Sequence, residues 1–351
     1  NVLDTGARGD YITDDSDGFH KAIDLAKNAG GGVIYVPPGR YRANISIQAN
    51  NITINGFGDA HGGYTSVSHI APYDYNQPVF TIGSRTAYWR GVSLNNLTID
   101  GNTGGSWGKY GVWYQGAYQC YSNNLTISNF DNWGLLCGNL DDDGATVSTV
   151  PCSFVFFNNI NISCGARPTL SGALRIRHPN CASSGVYTTA IGLSNVSIHG
   201  RNLTGDGAAI YMEGGQAFLN NAYVEGLHER GIRLDPGGGG YYGASMPLVY
   251  CSNVIVDSGD STDHLVILPD NNKPLSEFMP GSVSVDGYIR DHDPTTLAAD
   301  WTSGSTISVA DIGKLKPGDH ALIQHNLGGW INVLVASVSG TPGGPGTAVL
   351  E

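Results

Sequence analysis

Asn96-Leu-Thr-Ile99 and Asn124-Leu-Thr-Ile127 are two copies of one motif, an asparagine followed by apolar, variable and apolar residues. The other copies are Asn51-Ile-Thr-Ile54, Asn159-Ile-Asn-Ile162, Asn195-Val-Ser-Ile198, Asn221-Ala-Tyr-Val224 and Asn253-Val-Ile-Val256. Alternation of apolar residues predicts a β-strand with one buried face. Consecutive asparagines lie between 26 residues (Asn195 to Asn221) and 45 residues (Asn51 to Asn96) apart. A constant motif at variable spacing predicts stacked coils joined by loops of different length.

Each coil carries two further strand segments. One precedes the asparagine, as in Cys120-Tyr-Ser122, and the other follows a variable loop, as in Leu174-Arg-Ile176. Three strands per coil predict an all-β fold, a right-handed single-stranded parallel β-helix around a column of apolar side chains. We expect the asparagines to form a column at a sharp turn, because asparagine tolerates left-handed backbone and its amide can bond to the adjacent coil.

The two ends of the chain differ from the repeats. Acidic and capping residues at 14–17 precede apolar residues at helical spacing, which predicts a capping helix at about residues 15–28. We therefore divide the chain into an N-terminal cap with the first strand (1–44), a parallel β-helix (45–280), a linker (281–300) and a small C-terminal β domain (301–351).

Composition narrows the partners. The net charge of −12 and the lack of a basic stripe argue against nucleic acid. No apolar run approaches the roughly 20 residues that span a bilayer, so membrane insertion is not expected.

The N-terminal motifs resemble a known family. Gly6-Ala-Arg-Gly-Asp10, Thr13-Asp-Asp15 and Gly31-Gly-Val-Ile-Tyr-Val-Pro-Pro-Gly39 occur in the order found in the cap of pectate-lyase-like β-helices, a group that includes phage tailspike depolymerases. This resemblance implies a homotrimeric polysaccharide depolymerase in an extracellular or virion-associated setting. It specifies the fold rather than the substrate.

The strand that follows the variable loop carries the candidate site. Aligned coils place two carboxylates, Glu213 and Asp235, at equivalent positions on adjacent rungs, which suits the acid and base of a glycoside hydrolase. Neighbouring positions predict substrate-binding side chains: Arg175, Arg177, Tyr211, Arg233, Trp113 (for sugar stacking) and His228. The leading prediction is an endo-acting glycosidase on bacterial surface or extracellular polysaccharide.

Three alternatives remain open. The same arginines could neutralise a uronate carboxylate for β-elimination, which makes a polysaccharide lyase the nearest rival. A non-catalytic receptor-binding protein could use the face only to hold glycan. A second column, with His199, Glu225 and Asp257, is the secondary candidate site. No cofactor is predicted to be required; calcium is possible in the family, but this face offers two carboxylates beside three arginines.

Overall fold

The computed structural model describes most of the coils and part of the C-terminal region. The described residues are 1–58, 66–102, 104–138, 150, 152–163, 172–177, 188–200, 208–213, 215–226, 230–235, 248–257, 263–267, 283–289, 306–309, 320–324, 330–341 and 345–350.

These residues include one helix and 25 strands. They are β1 Asp10–Asp14, α1 Ser16–Asn28, β2 Gly32–Tyr35, β3 Gly39–Arg42, β4 Ile45–Ile47, β5 Ile52–Asn55, β6 Ser68–Ala71, β7 Phe80–Ile82, β8 Trp89–Arg90, β9 Ser93–Asp100, β10 Gly108–Tyr114, β11 Ala117–Ser128, β12 Phe130–Gly138, β13 Ser153–Ser163, β14 Gly172–Arg177, β15 Thr189–Gly200, β16 Ala208–Glu213, β17 Gln216–Gly226, β18 Arg230–Asp235, β19 Leu248–Asp257, β20 Asp263–Ile267, β21 Val283–Ile289, β22 Thr306–Val309, β23 His320–Gln324, β24 Trp330–Gly340 and β25 Gly346–Leu350.

The coils build two parallel sheets. Sheet A contains 13 strands, with the order β1-β3-β6-β9-β11-β13-β15-β17-β19-β21 along its main path. Sheet B contains 8 strands in the order β20-β18-β16-β14-β12-β10-β7-β4. Each strand pairs with the equivalent strand of the next coil, which confirms the predicted right-handed parallel β-helix.

The asparagine column bends the strands of sheet A without interrupting them. The segments before and after each asparagine were predicted as separate strands, but from Asn96 onward they form single strands such as β11 and β13, whereas Asn51 lies just before β5. Six asparagines (51, 96, 124, 159, 195 and 221) have φ between 52° and 58°, the left-handed conformation that the sequence predicts. A left-handed residue turns the chain while its neighbours keep their ladder bonds.

Amide hydrogen bonds connect most successive rungs of the column, although Asn195 donates to Asn158 and Asn96 to Asn55 rather than to the column asparagine. Asn124 Nδ2 donates to Asn96 Oδ1 at 2.9 Å, and Asn159 Nδ2 donates to Asn124 Oδ1 at 2.7 Å. Asn221 Nδ2 donates in the same way to Asn195 Oδ1 at 2.7 Å. The column therefore stabilises the stacking of successive coils as well as the turn itself.

The N-terminal cap consists of α1 and a strand that the pattern did not predict. Phe19, Ala22 and Ile23 are buried, and α1 packs against β2, β4 and β5. The helix therefore covers apolar side chains at the end of the solenoid, as expected. The unpredicted strand, β1, pairs in parallel with β3 and adds a row to sheet A.

The C-terminal region forms a separate small unit. Its strands β22, β25, β24 and β23 make a four-stranded antiparallel sheet, in agreement with the predicted β module. The predicted linker, 281–300, contains β21, which pairs in parallel with β19 and extends sheet A past the expected end at residue 280. The alternation in Val283-Ser-Val285 is the signal for this strand. Within the described residues, no helix is long and apolar enough to cross a membrane.

Candidate active site

The register of sheet B brings the predicted residues into two columns. The first, called the Arg175 column, runs through directly paired positions: Trp113, Leu136, Arg175, Tyr211, Arg233 and Val266. The second, called the Arg177 column, runs Gly138, Arg177, Glu213 and Asp235. Both columns have the order predicted from the sequence. They lie on the face opposite the buried Leu174, Ile210 and Ile232.

The described part of the Arg175 column is buried. Arg175 is 4% exposed and Tyr211 is 5% exposed. The Arg175 guanidinium carbon lies 5.2 Å from the centre of the Tyr211 ring and 5.6 Å from that of Trp133. A cation held over aromatic faces and removed from water interacts strongly with them. The aromatic rings therefore hold the Arg175 guanidinium in a position shielded from solvent.

Trp113 does not offer the open stacking face that the sequence predicts. It is 9% exposed, and its Nε1–H donates to Gly138 O at 2.7 Å. It also belongs to a buried cluster with Trp133, Leu136 and Tyr211. Because the ring is enclosed, we expect Trp113 to support the site from below rather than to stack on a sugar.

Trp133 is the site residue that sequence reasoning missed. Its ring lies 6.0 Å from that of Tyr211, and the residue is 1% exposed. Within the described residues, its indole N–H has no hydrogen-bond partner. Trp133 pairs with Tyr110 in the same register in which Leu135 pairs with Val112, so simple alternation from Leu135 assigns Trp133 to the core. Its ring instead packs with Arg175 and Tyr211, a contact that alternation does not reveal.

In the Arg177 column, Arg177 itself is more exposed than Arg175. Arg177 is partly exposed, and Thr188 Oγ1 donates to its carbonyl oxygen at 3.0 Å. The preceding rung carries Gly138 at φ 104°, where a Cβ atom would collide with that same carbonyl oxygen. Glycine therefore lets the two backbones approach beside Arg177.

Several predicted residues lie outside the described part of the chain. The backbone positions of Glu213, Arg233 and Asp235 are described, whereas their side chains are not. His228 falls entirely outside the described residues. The structure thus gives the placement of the two carboxylate positions on adjacent rungs, and their roles remain predictions.

The secondary candidates also share a column, on sheet A. His199 pairs with position 225, and position 225 pairs with position 257. His199 Nε2 lies 2.8 Å from Ser197 Oγ. The side chains of Glu225 and Asp257 lie outside the described residues. Among the side chains that the structure describes, no three His, Cys, Asp or Glu residues are grouped as metal ligands.

Comparison with known proteins agrees with the fold. Residues 1–77 match the family model for rhamnogalacturonase A/epimerase, pectate lyase-like proteins. PfbA, a surface adhesin of Streptococcus pneumoniae, has a similar structure over 84% of this chain and 73% of its own, with a TM-score of 0.58 and 16% identity. The pectate-lyase-like resemblance is confirmed, and the chain is a right-handed parallel β-helix.

Curated relatives with similar sequences are enzymes of Azotobacter vinelandii. Alginate lyase 7 is 33% identical over 124 residues, and mannuronan C5-epimerase AlgE5 is 36% identical over 128 residues. Each match covers 33% of this chain, which spans only 14% and 12% of the respective relatives. The relatives are thus polysaccharide-modifying enzymes by name, and the similarity reaches a third of the chain.

Proposed function

We propose that this pectate-lyase-like β-helix is an enzyme that depolymerises polysaccharide at the Arg177 column of sheet B. The observation that carries the proposal is the register: positions 213 and 235 are directly paired on adjacent rungs, and position 213 is directly paired with Arg177. Two carboxylates and a cation therefore start from consecutive rungs of one column.

Glycoside hydrolysis is the reaction that this arrangement supports first. Adjacent rungs are about 4.8 Å apart. Carboxyl groups about 5–5.5 Å apart suit retention, and groups about 6.5–9.5 Å apart suit inversion, so paired positions are compatible with either outcome. A guanidinium on the neighbouring rung favours the ionised form of Glu213, which suits a base or nucleophile. Asp235, one rung further from Arg177, is then the general acid.

β-Elimination is the second candidate, and the relatives' names favour it. A lyase must remove a proton beside a uronate carboxylate and neutralise that carboxylate with positive charge. Arg177 and Arg233 would supply the charge, with Tyr211 or His228 as the base. Tyr211 is 5% exposed, so this role requires that a substrate reach its hydroxyl from the side of the Arg177 column.

The test combines substitution with product chemistry. The protein is incubated with alginate and with bacterial capsular polysaccharides, and new reducing ends are counted beside ultraviolet absorption from unsaturated uronate ends. Hydrolysis yields reducing ends alone, whereas elimination yields both signals. We expect Glu213→Gln and Asp235→Asn each to lower kcat about 100-fold or more, as loss of general acid–base catalysis does.

Glu225→Gln is the matched control, because it removes one carboxylate from the secondary column of sheet A and leaves sheet B unchanged. Full activity in both Glu213→Gln and Asp235→Asn would refute the site. Loss of activity in Glu225→Gln alone would move it to the secondary column. Glycan binding with no change in chain length would support the non-catalytic alternative instead.

The finer predictions concern setting and assembly. We further propose that the chain acts outside the cell or on a virion and that it assembles as a homotrimer, since the family resemblance includes phage tailspikes. The molar mass in solution, measured by light scattering, tests the assembly.

A further inference from the structure

Sheet A carries a row of exposed and partly exposed aromatic rings, on a different sheet from the Arg177 column. The row, called the aromatic column, consists of Tyr121, Phe156 and Phe218, which share one register together with Gly192. Tyr121 is 50% exposed and Phe218 is 38% exposed. Large aromatic side chains that share an exposed face commonly mark an interaction site.

The rings have a defined arrangement. Those of Tyr121 and Phe156 are stacked, with centroids 5.4 Å apart and planes 15° from parallel. Gly192 occupies the next rung, where a Cβ atom would lie 2.5 Å from Phe156 Cδ1. The missing side chain gives the Phe156 ring room to lie across the rung. The column therefore has two stacked rings on adjacent rungs, about 4.8 Å apart, and a third ring, Phe218, two rungs beyond Phe156. The rung spacing is close to the length of one pyranose unit.

A second group of rings lies mostly earlier in the same strands, before a left-handed turn at Gln119 in β11. Tyr118 contacts Phe154 at 5.4 Å and Tyr88 at 5.9 Å between centroids. The exposed Arg90 guanidinium lies over both tyrosines, 5.1 Å from the Tyr118 centroid and 5.3 Å from that of Tyr88. This places one cation beside the rings.

Uncharged amide side chains line the other side of the aromatic column. Position 123 follows Tyr121 on the same face of the strand, and position 158 follows Phe156 in the same way. Asn123, Asn158 and Asn220 share one register, and the last two are exposed. Each amide offers donors and an acceptor to hydroxyl groups.

Charge is absent from these strand segments. Residues 117–124, 153–159, 189–195 and 216–221 include no Asp, Glu, Lys or Arg, in a chain that has 30 acidic residues. The segments therefore bring no carboxylate to the aromatic column, and Arg90 lies over Tyr118, three residues before Tyr121 in β11. The face is thus complementary to a chain that combines apolar sugar faces, hydroxyl groups and negative charge.

We propose that the aromatic column is a second glycan-binding surface, which holds an acidic polysaccharide along the solenoid while sheet B acts on it. Ring faces stack on the sugars, the amides bond to hydroxyl groups, and Arg90 pairs with a carboxylate. A second copy of this chain would be a poorer occupant, because docking would remove exposed amides from water without the hydroxyl partners that a glycan brings. The proposal rests on the proposed function only for the choice of polysaccharide as occupant.

The experiment measures binding apart from catalysis. Retardation in native gels cast with sodium alginate is compared with retardation in plain gels, in a Glu213→Gln background so that the polymer is not cut. The double variant Tyr121→Ala/Phe156→Ala is expected to bind alginate about tenfold or more weakly, the loss that follows from removing two stacking rings. Arg90→Gln is expected to weaken binding as well. Phe57→Ala removes an exposed ring that lies outside the aromatic column and is the matched control.

Gly192→Ala provides a milder test, because its backbone does not require glycine and the new methyl group displaces only the Phe156 ring. Its binding is expected to fall while its melting temperature stays near that of the parent. Cleavage of short oligosaccharides, measured with Glu213 intact, is expected to be unchanged in all four variants. A variant that loses cleavage of short oligosaccharides but still binds alginate would bear on the proposed function and not on the aromatic column.

Three results would overturn the inference. They are a parent protein that alginate does not retard, a double variant that is retarded as strongly as the parent, and a double variant whose molar mass falls because an oligomer dissociates. The last result would identify the face as an interface between copies.

Discussion

Replacement of Asn124 by alanine tests how the asparagine column stabilises the solenoid. Asn124 has φ 53°, donates to Asn96 and accepts from Asn159. Alanine removes both bonds and places a Cβ-bearing residue without a compensating amide in the left-handed region. Glycine removes the same two bonds but accepts this backbone without strain.

Both variants lose the same two hydrogen bonds. Their free energies of unfolding therefore differ only because alanine strains the left-handed backbone, whereas glycine increases the conformational entropy of the unfolded chain. Two neutral hydrogen bonds contribute about 1–3 kcal/mol together. Alanine adds about 1–2 kcal/mol for the left-handed conformation, while glycine adds about 0.4–1 kcal/mol because its unfolded chain is freer. We expect Asn124→Ala to lower the free energy of unfolding by about 2–5 kcal/mol and Asn124→Gly by about 1.4–4 kcal/mol, with glycine about 0.8 kcal/mol less destabilising at mid-range.

Urea denaturation followed by tryptophan fluorescence and by circular dichroism gives the two midpoints. Thr126→Ala, which changes a partly exposed side chain two residues along the same strand, is the control and should shift the midpoint little. An alanine variant as stable as the glycine variant would refute the argument from backbone strain. Two variants as stable as the parent would refute the contribution of the ladder as a whole.

Two further predictions concern the close approach at Gly138 and the hydrogen-bonded carboxylate of Asp100. Gly138→Ala should unfold at a much lower temperature than Gly104→Ala, because a Cβ atom at position 138 would collide with the carbonyl oxygen of Arg177. Gly104 has open space around it, and only its φ of 73° disfavours alanine there. Equal melting temperatures would contradict the close approach of the two rungs. Burial would raise the pKa of Asp100, but hydrogen bonds from His69 and from two amide groups outweigh burial and hold that pKa below its ordinary value. Since the folded pKa lies below the unfolded one, this carboxylate stabilises the fold above the unfolded pKa, and its contribution is lost as the pH falls through the folded pKa. As the pH is lowered, the melting temperature should therefore fall less steeply in Asp100→Asn than in the parent. Identical curves of melting temperature against pH would show that the Asp100 carboxylate does not contribute to the acid sensitivity of the fold.

The β-helix could be predicted from the sequence because its determinants are local. Alternation around each asparagine identifies the buried face, and the left-handed turn depends on a residue type that tolerates it. The register of Glu213 with Asp235 followed from aligning coils, since one coil pairs with the next without a shift in this part of sheet B. Alternation does not reveal, by contrast, that Trp133 packs with Arg175 and Tyr211.

Burial of the predicted face could not be predicted in this way. Alternation shows on which side of a strand Trp113 or Arg175 lies, but not whether that side is open to solvent. Exposure depends on contacts with residues distant in sequence. In the part that the structure describes, these contacts enclose the Arg175 column and leave Arg177 partly exposed. The strand β1 was missed for a similar reason, because Asp10–Asp14 lacks an apolar alternation and gains its place by pairing with β3.

The solenoid separates two kinds of surface chemistry because its columns are independent. A charged residue on one strand segment meets only the equivalent positions of the neighbouring coils. Charges therefore collect in register on sheet B, whereas the sheet A segments 117–124, 153–159, 189–195 and 216–221 carry none. A cleaving site benefits from fixed charges, which shift the pKa values of acids and bases. A surface that holds a long acidic glycan benefits from the opposite, an absence of carboxylates that would repel it. A single repeat can supply both, because substitutions in one column leave the other unchanged.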